Sequence, residues 1–195
     1  MNKKIAISIV LLLPDEFNQM ICSLSSKIIP PKGLKPYVLD NKKYLPHITL
    51  LMGTITEDKI RLIKKKIEII SKKYLPIKIN LINLKNNSFP SLDIQQTQEL
   101  VDFQNEIARE IILDYDATKE MFVDSDISDL GVEWINKFKE NNLSAGKFNI
   151  HLTLGSGDAS YLEINLPIEV NINTIAISQI GYGCSCRKVL ENITF

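Results

Sequence analysis

The sequence predicts an α+β fold of mostly antiparallel strands. Strand-like segments recur in pairs joined by short turns, and helix-periodic segments do not alternate with them regularly enough for a parallel βαβ sheet. A third observation concerns organisation. Two segments built alike, Pro46-His47-Ile48-Thr49-Leu50 and Asn149-Ile150-His151-Leu152-Thr153-Leu154, lie 151 − 47 = 104 positions apart in a chain of 195 residues. That spacing hints at two related halves, although the halves align poorly outside these segments. The length suits one domain, or two small lobes sharing a core.

Taken in order, Lys4 to Leu13 is apolar at both parities, which predicts a central strand. Lys3-Lys4 followed by this apolar run imitates a signal peptide. Pro14-Asp15-Glu16-Phe17 replaces the small-residue cleavage site, however, and the run is too short to span a bilayer. A helix opens at Asp15, with Phe17, Met20, Ile21, Leu24 and Ile28 on one stripe, and Pro30-Pro31 closes it. Pro36 to Leu39 reads as extended, and Asp40 to Lys43 as a turn into the first histidine strand, which Gly53 and Thr54 close. The next helix starts at Thr56, with Ile60, Ile63, Ile67 and Ile70 on its buried side and its lysines on a solvated face.

Pro76 to Leu84 alternates as a half-exposed strand does, and Asn86-Asn87-Ser88 turns it toward a second strand near Leu92 to Gln95. Gln98 to Leu113 is a helix with Leu100, Phe103, Ile107 and Ile111 inward. Asp114 to Asp129 is acidic but lacks the glycine and glutamate of a calcium loop, so it reads as a polar loop. A short helix around Glu133 to Asn141, held by Trp134, Ile135 and Phe138, precedes a turn over Asn142 to Gly146. After the second histidine strand, Gly155-Ser156-Gly157-Asp158 makes a tight turn. Strands over Ile168 to Ile180 and Cys184 to Ile193, joined at Gly181-Tyr182-Gly183, end the chain.

Composition excludes several functions. Formal net charge is zero, which disfavours a sequence-independent binder of long nucleic acid but leaves room for a small nucleotide or an RNA end. Cys22, Cys184 and Cys186 are odd in number and lack metal-ligand spacing, and their usage points to a reduced, cytoplasmic protein. The expectation is a monomer that engages neither a metal nor a membrane.

The chemistry concentrates in the two histidine segments, which hold the only histidines of the chain. Each histidine precedes a threonine by two positions, and strand alternation puts both side chains of a pair on one face. The opposite parity, Ile48 and Leu50 or Leu152 and Leu154, anchors the strand. Imidazole titrates near neutrality and serves as either acid or base, and a hydroxyl donates to an anionic oxygen. Weaker candidates are Asn149, which shares the parity of His151, together with Arg187, Tyr44 and Tyr182 as contacts for phosphate, base or ribose.

The paired motifs His47-Ile48-Thr49-Leu50 and His151-Leu152-Thr153-Leu154 resemble the two-histidine (2H) phosphoesterase superfamily at every motif position. The resemblance implies a bilobal α+β fold in which two mostly antiparallel sheets face each other across a central cleft, with helices outside and one motif strand per lobe. It implies a phosphodiesterase without metal or organic cofactor, similar to 2′,3′-cyclic nucleotide phosphodiesterases and 2′–5′ RNA ligase-like proteins. The substrate would be a small nucleotide or an RNA terminus. His47, His151, Thr49 and Thr153 are then the catalytic set. His151 is taken as general base and His47 as general acid for hydrolysis, and Thr49 and Thr153 donate to non-bridging phosphoryl oxygens. The alternative is a nucleotide-binding or RNA-end-binding module of the same fold without turnover.

Overall fold

The structure, a computed structural model, describes residues 2–32, 35–124, 126–143 and 149–195. The chain folds as an α+β domain with one eight-stranded antiparallel sheet. Its strands are β1 (Lys4–Leu12), β2 (His47–Thr56), β3 (Ile77–Lys85), β4 (Ser91–Ile94), β5 (His151–Thr153), β6 (Ile168–Ile172), β7 (Thr174–Ile180) and β8 (Cys186–Thr194), in the order β6-β3-β4-β5-β2-β1-β7-β8. The α-helices among the described residues are α1 (Asp15–Lys27), α2 (Ile60–Ser71), α3 (Gln98–Glu110), α4 (Asp129–Asn136) and α5 (Phe138–Asn142).

The two expected lobes are present as sheet halves, four strands each, but they are not separate sheets. One residue pair, Ile48 on β2 opposite Leu152 on β5, joins β6-β3-β4-β5 to β2-β1-β7-β8. The motif strands therefore lie side by side where the two halves join. A second connection closes the architecture. β6 and β7 stand six strand spacings apart in the sheet, about 29 Å if it were flat, yet only Asn173 separates them in sequence. Two Cα steps cover at most about 7 Å, so the sheet curls back until its distant parts meet.

The core follows the sequence pattern. β1 lies between β2 and β7, and Ile5, Ile7, Ile9 and Leu11 are almost wholly buried. Ile60, Ile63, Ile67 and Ile70 of α2 and Leu100, Phe103 and Ile107 of α3 pack into the same core as Ile48 and Leu152. Gln104 of α3 donates from Nε2 to the Leu50 carbonyl at 3.2 Å and ties the helix to the motif strand. The opposite sheet face carries a small cluster of Val10, Ala176 and Cys186 flanked by Leu12 and Leu45.

Several boundaries differ from expectation for local reasons. β2 continues through Gly53 to Thr56 because these residues keep pairing with Ile7 to Lys4 of β1, and Thr54 also exchanges backbone hydrogen bonds with Asp114 at 2.8 and 3.0 Å. Gly53 is there for closeness, since a Cβ on it would lie 2.6 Å from Leu113 Cβ and 2.8 Å from the Asp114 carbonyl oxygen. Thr56 leads into a 3₁₀ turn, Glu57–Lys59, before α2 begins. The helix expected around Glu133 starts earlier, where the Ser128 hydroxyl accepts from the Gly131 N–H. It then breaks at Lys137 into α4 and α5. Ile135 and Phe138 are buried as expected, but Trp134 is 38% exposed and does not hold the helix. The run from Ile168 to Ile180 is two strands, because the chain passes between lobes at Asn173. Residues 144–148, where the turn into the second motif falls, lie outside the described residues. No helix among the described residues is long and apolar enough to cross a membrane.

Gly53→Ala is expected to lower stability by about 1–3 kcal/mol, because backbone at 113–114 must move to admit one methyl group. Urea unfolding monitored by circular dichroism checks this through a lower midpoint at unchanged slope.

Candidate active site

The Ile48–Leu152 pairing sets the geometry. Continuing that antiparallel register by one residue either way places His47 beside Thr153 and Thr49 beside His151, all opposite in parity to the buried Ile48 and Leu152. The four side chains form a square on the face away from α3. The histidines occupy one diagonal and the threonines the other, a separation of about 7–8 Å across such a diagonal. The structure thus brings together the four residues that the sequence singles out.

Both imidazoles are oriented by the same device. His47 Nδ1 lies 2.7 Å from the Leu45 carbonyl oxygen, and His151 Nδ1 lies 3.0 Å from the Asn149 carbonyl oxygen. A carbonyl only accepts, so Nδ1 carries hydrogen in each ring and Nε2 is left to exchange a proton. In each motif the acceptor stands two residues before the histidine. Strand alternation supplies the contact twice from equivalent sequence positions.

The environments of the two rings differ. His47 is 8% exposed, and burial pulls its pKa from 6.5 down to about 4, against the Leu45 carbonyl; the nearby His151 adds to the depression. His151 is half-buried and also lowered by burial, but the Asn149 carbonyl and the Asp93 carboxylate oppose the shift while Lys85 reinforces it. Asp93 on β4 sits directly opposite His151, and Ser91 directly opposite Thr153. Asp93 is paired with Lys85 at 2.7 Å.

Asp93 and Ser91 therefore extend the square by one strand, and the sequence reading misses both. The available signal is parity: Asp93 alternates with Leu92 and Ile94 in the segment read as a strand, and Ser91 continues the same alternation one residue before it. What the sequence lacks is that strand's neighbour in the sheet.

The remaining candidates have different places. Asn149 bonds through Nδ2 to Asn142 Oδ1 at 3.1 Å, and its carbonyl, not its side chain, meets His151. Arg187 forms an ion pair with Asp124 and lies over the Tyr44 ring at 4.5 Å. Tyr182 donates from its backbone N–H to the same Asp124 carboxylate and from its hydroxyl to the Lys35 carbonyl. Tyr44 is buried edge-on against Tyr37. These three residues form a second group, around Asp124. Leu45 joins the two, since its N–H donates to the Cys186 carbonyl while its own carbonyl holds His47. All three cysteines are free thiols. Among the described residues, no three His, Cys, Asp or Glu side chains are grouped so as to hold a metal ion.

Two consequences are measurable. The folded protein keeps His47 neutral to about pH 4, whereas the unfolded chain binds that proton near pH 6.5. The unfolded state then holds more protons in this window, and stability falls as pH drops from 6.5 toward 4. The loss is on the order of 2 kcal/mol, and urea midpoints of wild type and His47→Asn at both ends of the window check it. Separately, Asp93→Asn is expected to lower the His151 pKa further, read from the imidazole ¹³C shift during an NMR titration.

Comparison with known proteins agrees with this arrangement at the level of fold. No family model matches the chain, and no curated protein sequence matches it. Solved structures do. The chain is similar to TT0787 of Thermus thermophilus, with a TM-score of 0.60, 14% identity and 97% of each chain covered. It is similar to E. coli LigT complexed with 3′-AMP, with a TM-score of 0.57, 16% identity and 99% of each chain covered. A structure described as a phosphoesterase gives 0.53 and 14%, covering 97% of this chain and 98% of the other. The chain therefore shares the fold of E. coli LigT and of the structure described as a phosphoesterase.

Proposed function

We propose that the protein is a phosphoesterase that hydrolyses a 2′,3′-cyclic phosphate or a 2′–5′ phosphodiester, in an RNA terminus or a small nucleotide, by two-histidine acid/base catalysis. The observation that carries this reading is the diagonal placement of two imidazoles with available Nε2 atoms, flanked by two hydroxyls. A phosphoryl group over the square meets a proton acceptor on one side and a proton donor on the other, which is what in-line displacement needs. Thr49 and Thr153, on the other diagonal, donate to the non-bridging oxygens where charge accumulates. The chemistry asks no metal of the protein, because the imidazoles supply both proton transfers. The similarity to LigT, whose structure is a complex with 3′-AMP, supports a nucleotide as ligand.

The surroundings favour reversing the roles expected from the sequence. With one proton on the pair, Asp93 draws it to His151, and that charge further disfavours a proton on His47. His47 then acts as general base, taking a proton from water as its oxygen attacks phosphorus. His151 acts as general acid and delivers its proton to the departing ribose oxygen. Arg187, Tyr44 and Tyr182 brace the Leu45 segment behind His47, and Asn149 orients His151 through its carbonyl. We place the reaction in the cytoplasm, in keeping with three unpaired cysteines, and assign it to the monomer.

The test is hydrolysis of 2′,3′-cyclic mononucleotides, in chelator, by wild type, His47→Ala and His151→Ala. Each substitution is expected to lower kcat by about 10²–10⁴-fold, and the wild-type pH–rate profile to be bell-shaped. A 2′-deoxynucleoside 3′-(p-nitrophenyl phosphate), which leaves water as the only nucleophile and whose leaving group needs no protonation, should restore turnover in His151→Ala and not in His47→Ala. Rescue of His47→Ala alone returns the roles to those expected from the sequence. Activity that survives both substitutions removes the mechanism, and tight nucleotide binding with no turnover makes the protein a binding module.

A further inference from the structure

The register that builds the histidine square also shows what lies beside it. His47 pairs with Leu12 of β1, Leu12 with Thr174 of β7, and Thr174 with Thr194 of β8, all in one row at one end of the sheet. The neighbouring row runs from Thr49 through Val10 and Ala176 to Asn192. A recess of about 350 Å³ opens along the outer part of these rows. Its apolar wall is Leu12, Leu45 and Pro46, and amides and hydroxyls, among them Asn41, Asn192 and Thr174, surround that wall. Thr174 stands at most about 10 Å from His47 and Thr194 at most about 14 Å, counting one strand spacing at a time. A bare phosphate over the histidines does not reach that far, but a nucleoside attached to it does.

The lining chemistry identifies the guest. Of the twelve residues around the recess, four are asparagines, one is a carboxylate (Asp15), and none is lysine or arginine. A second phosphate would find no cation there and one repelling charge. A nucleobase finds an apolar surface for its ring and amides able both to donate to and to accept from its edge. The rim is also built to present one of these amides. Asn41 is a non-glycine residue at φ 60°, a conformation that costs energy unless its surroundings fix it. The Asp40 carboxylate fixes it by accepting the N–H groups of Lys42, Lys43 and Tyr44 at 2.7–3.0 Å.

We propose that this recess is the nucleoside subsite. The base attached to the scissile phosphate lies between the Leu12–Leu45 surface and the Asn41 and Asn192 amides. The proposal rests on the phosphoesterase reading, which it extends from the reacting phosphate to the substrate as a whole. It makes the enzyme select nucleotides over simple phosphodiesters, by binding and not by chemistry.

Two measurements test it. Adenosine, titrated at millimolar concentration into ¹⁵N-labelled protein, is expected to shift the side-chain amide signals of Asn41 and Asn192 saturably. Signals that stay in place overturn the proposal. The double variant Asn41→Gly, Asn192→Ala keeps the turn conformation and leaves the histidine square intact. It is expected to raise KM for adenosine 2′,3′-cyclic phosphate about tenfold while kcat stays within about twofold. Its hydrolysis of bis(p-nitrophenyl) phosphate, which carries no base, should match wild type. Equal losses on both substrates also overturn the proposal. A wild type that cleaves neither substrate counts against the phosphoesterase reading, and the adenosine titration then still decides the recess.

Discussion

The site depends on one backbone pairing. Ile48 and Leu152, both wholly buried, are the residues at which the two halves of the sheet meet. Because side chains alternate along a strand, burying these two forces His47, Thr49, His151 and Thr153 onto the other face. A slip of one residue on either strand would bury a histidine and expose an isoleucine or leucine. The hydrophobic cost of that exchange is what keeps the register, so the core side of the motifs specifies the chemical side.

The same economy explains the ring orientations. Each imidazole is held by a carbonyl from its own strand two residues earlier, so the motif carries its own orienting group and needs no separate side chain. The asymmetry between the rings comes from their neighbours. β4 contributes Asp93 next to His151, while His47 borders Leu12 and the apolar cluster beyond it. A repeated motif in two unlike settings thus yields two imidazoles of unlike basicity, which is the condition for one to donate while the other accepts.

Much of this is legible in the sequence because it is local. The paired motifs, the central position of β1 and the isoleucine stripe of α2 each follow from alternation or helical periodicity within a few residues. The features that are not legible are non-local. Nothing in residues 91–93 announces that β4 lies next to β5, so Asp93 reads as an ordinary strand residue and Ser91 as the residue before that strand. Nothing in Ile168 to Ile180 marks Asn173 as the crossing between lobes, since both strands read as one continuous run. Arg187 reads as a free contact for phosphate because Asp124, which holds it, comes from an irregular loop 63 residues away.

The most direct test of the central claim is a crystal structure of the protein soaked with inorganic phosphate. The account predicts a phosphate over the square, within roughly 2.6–3.2 Å of both Nε2 atoms and both threonine hydroxyls. A phosphate that touches only one histidine, or that binds elsewhere and leaves the square empty, would contradict it.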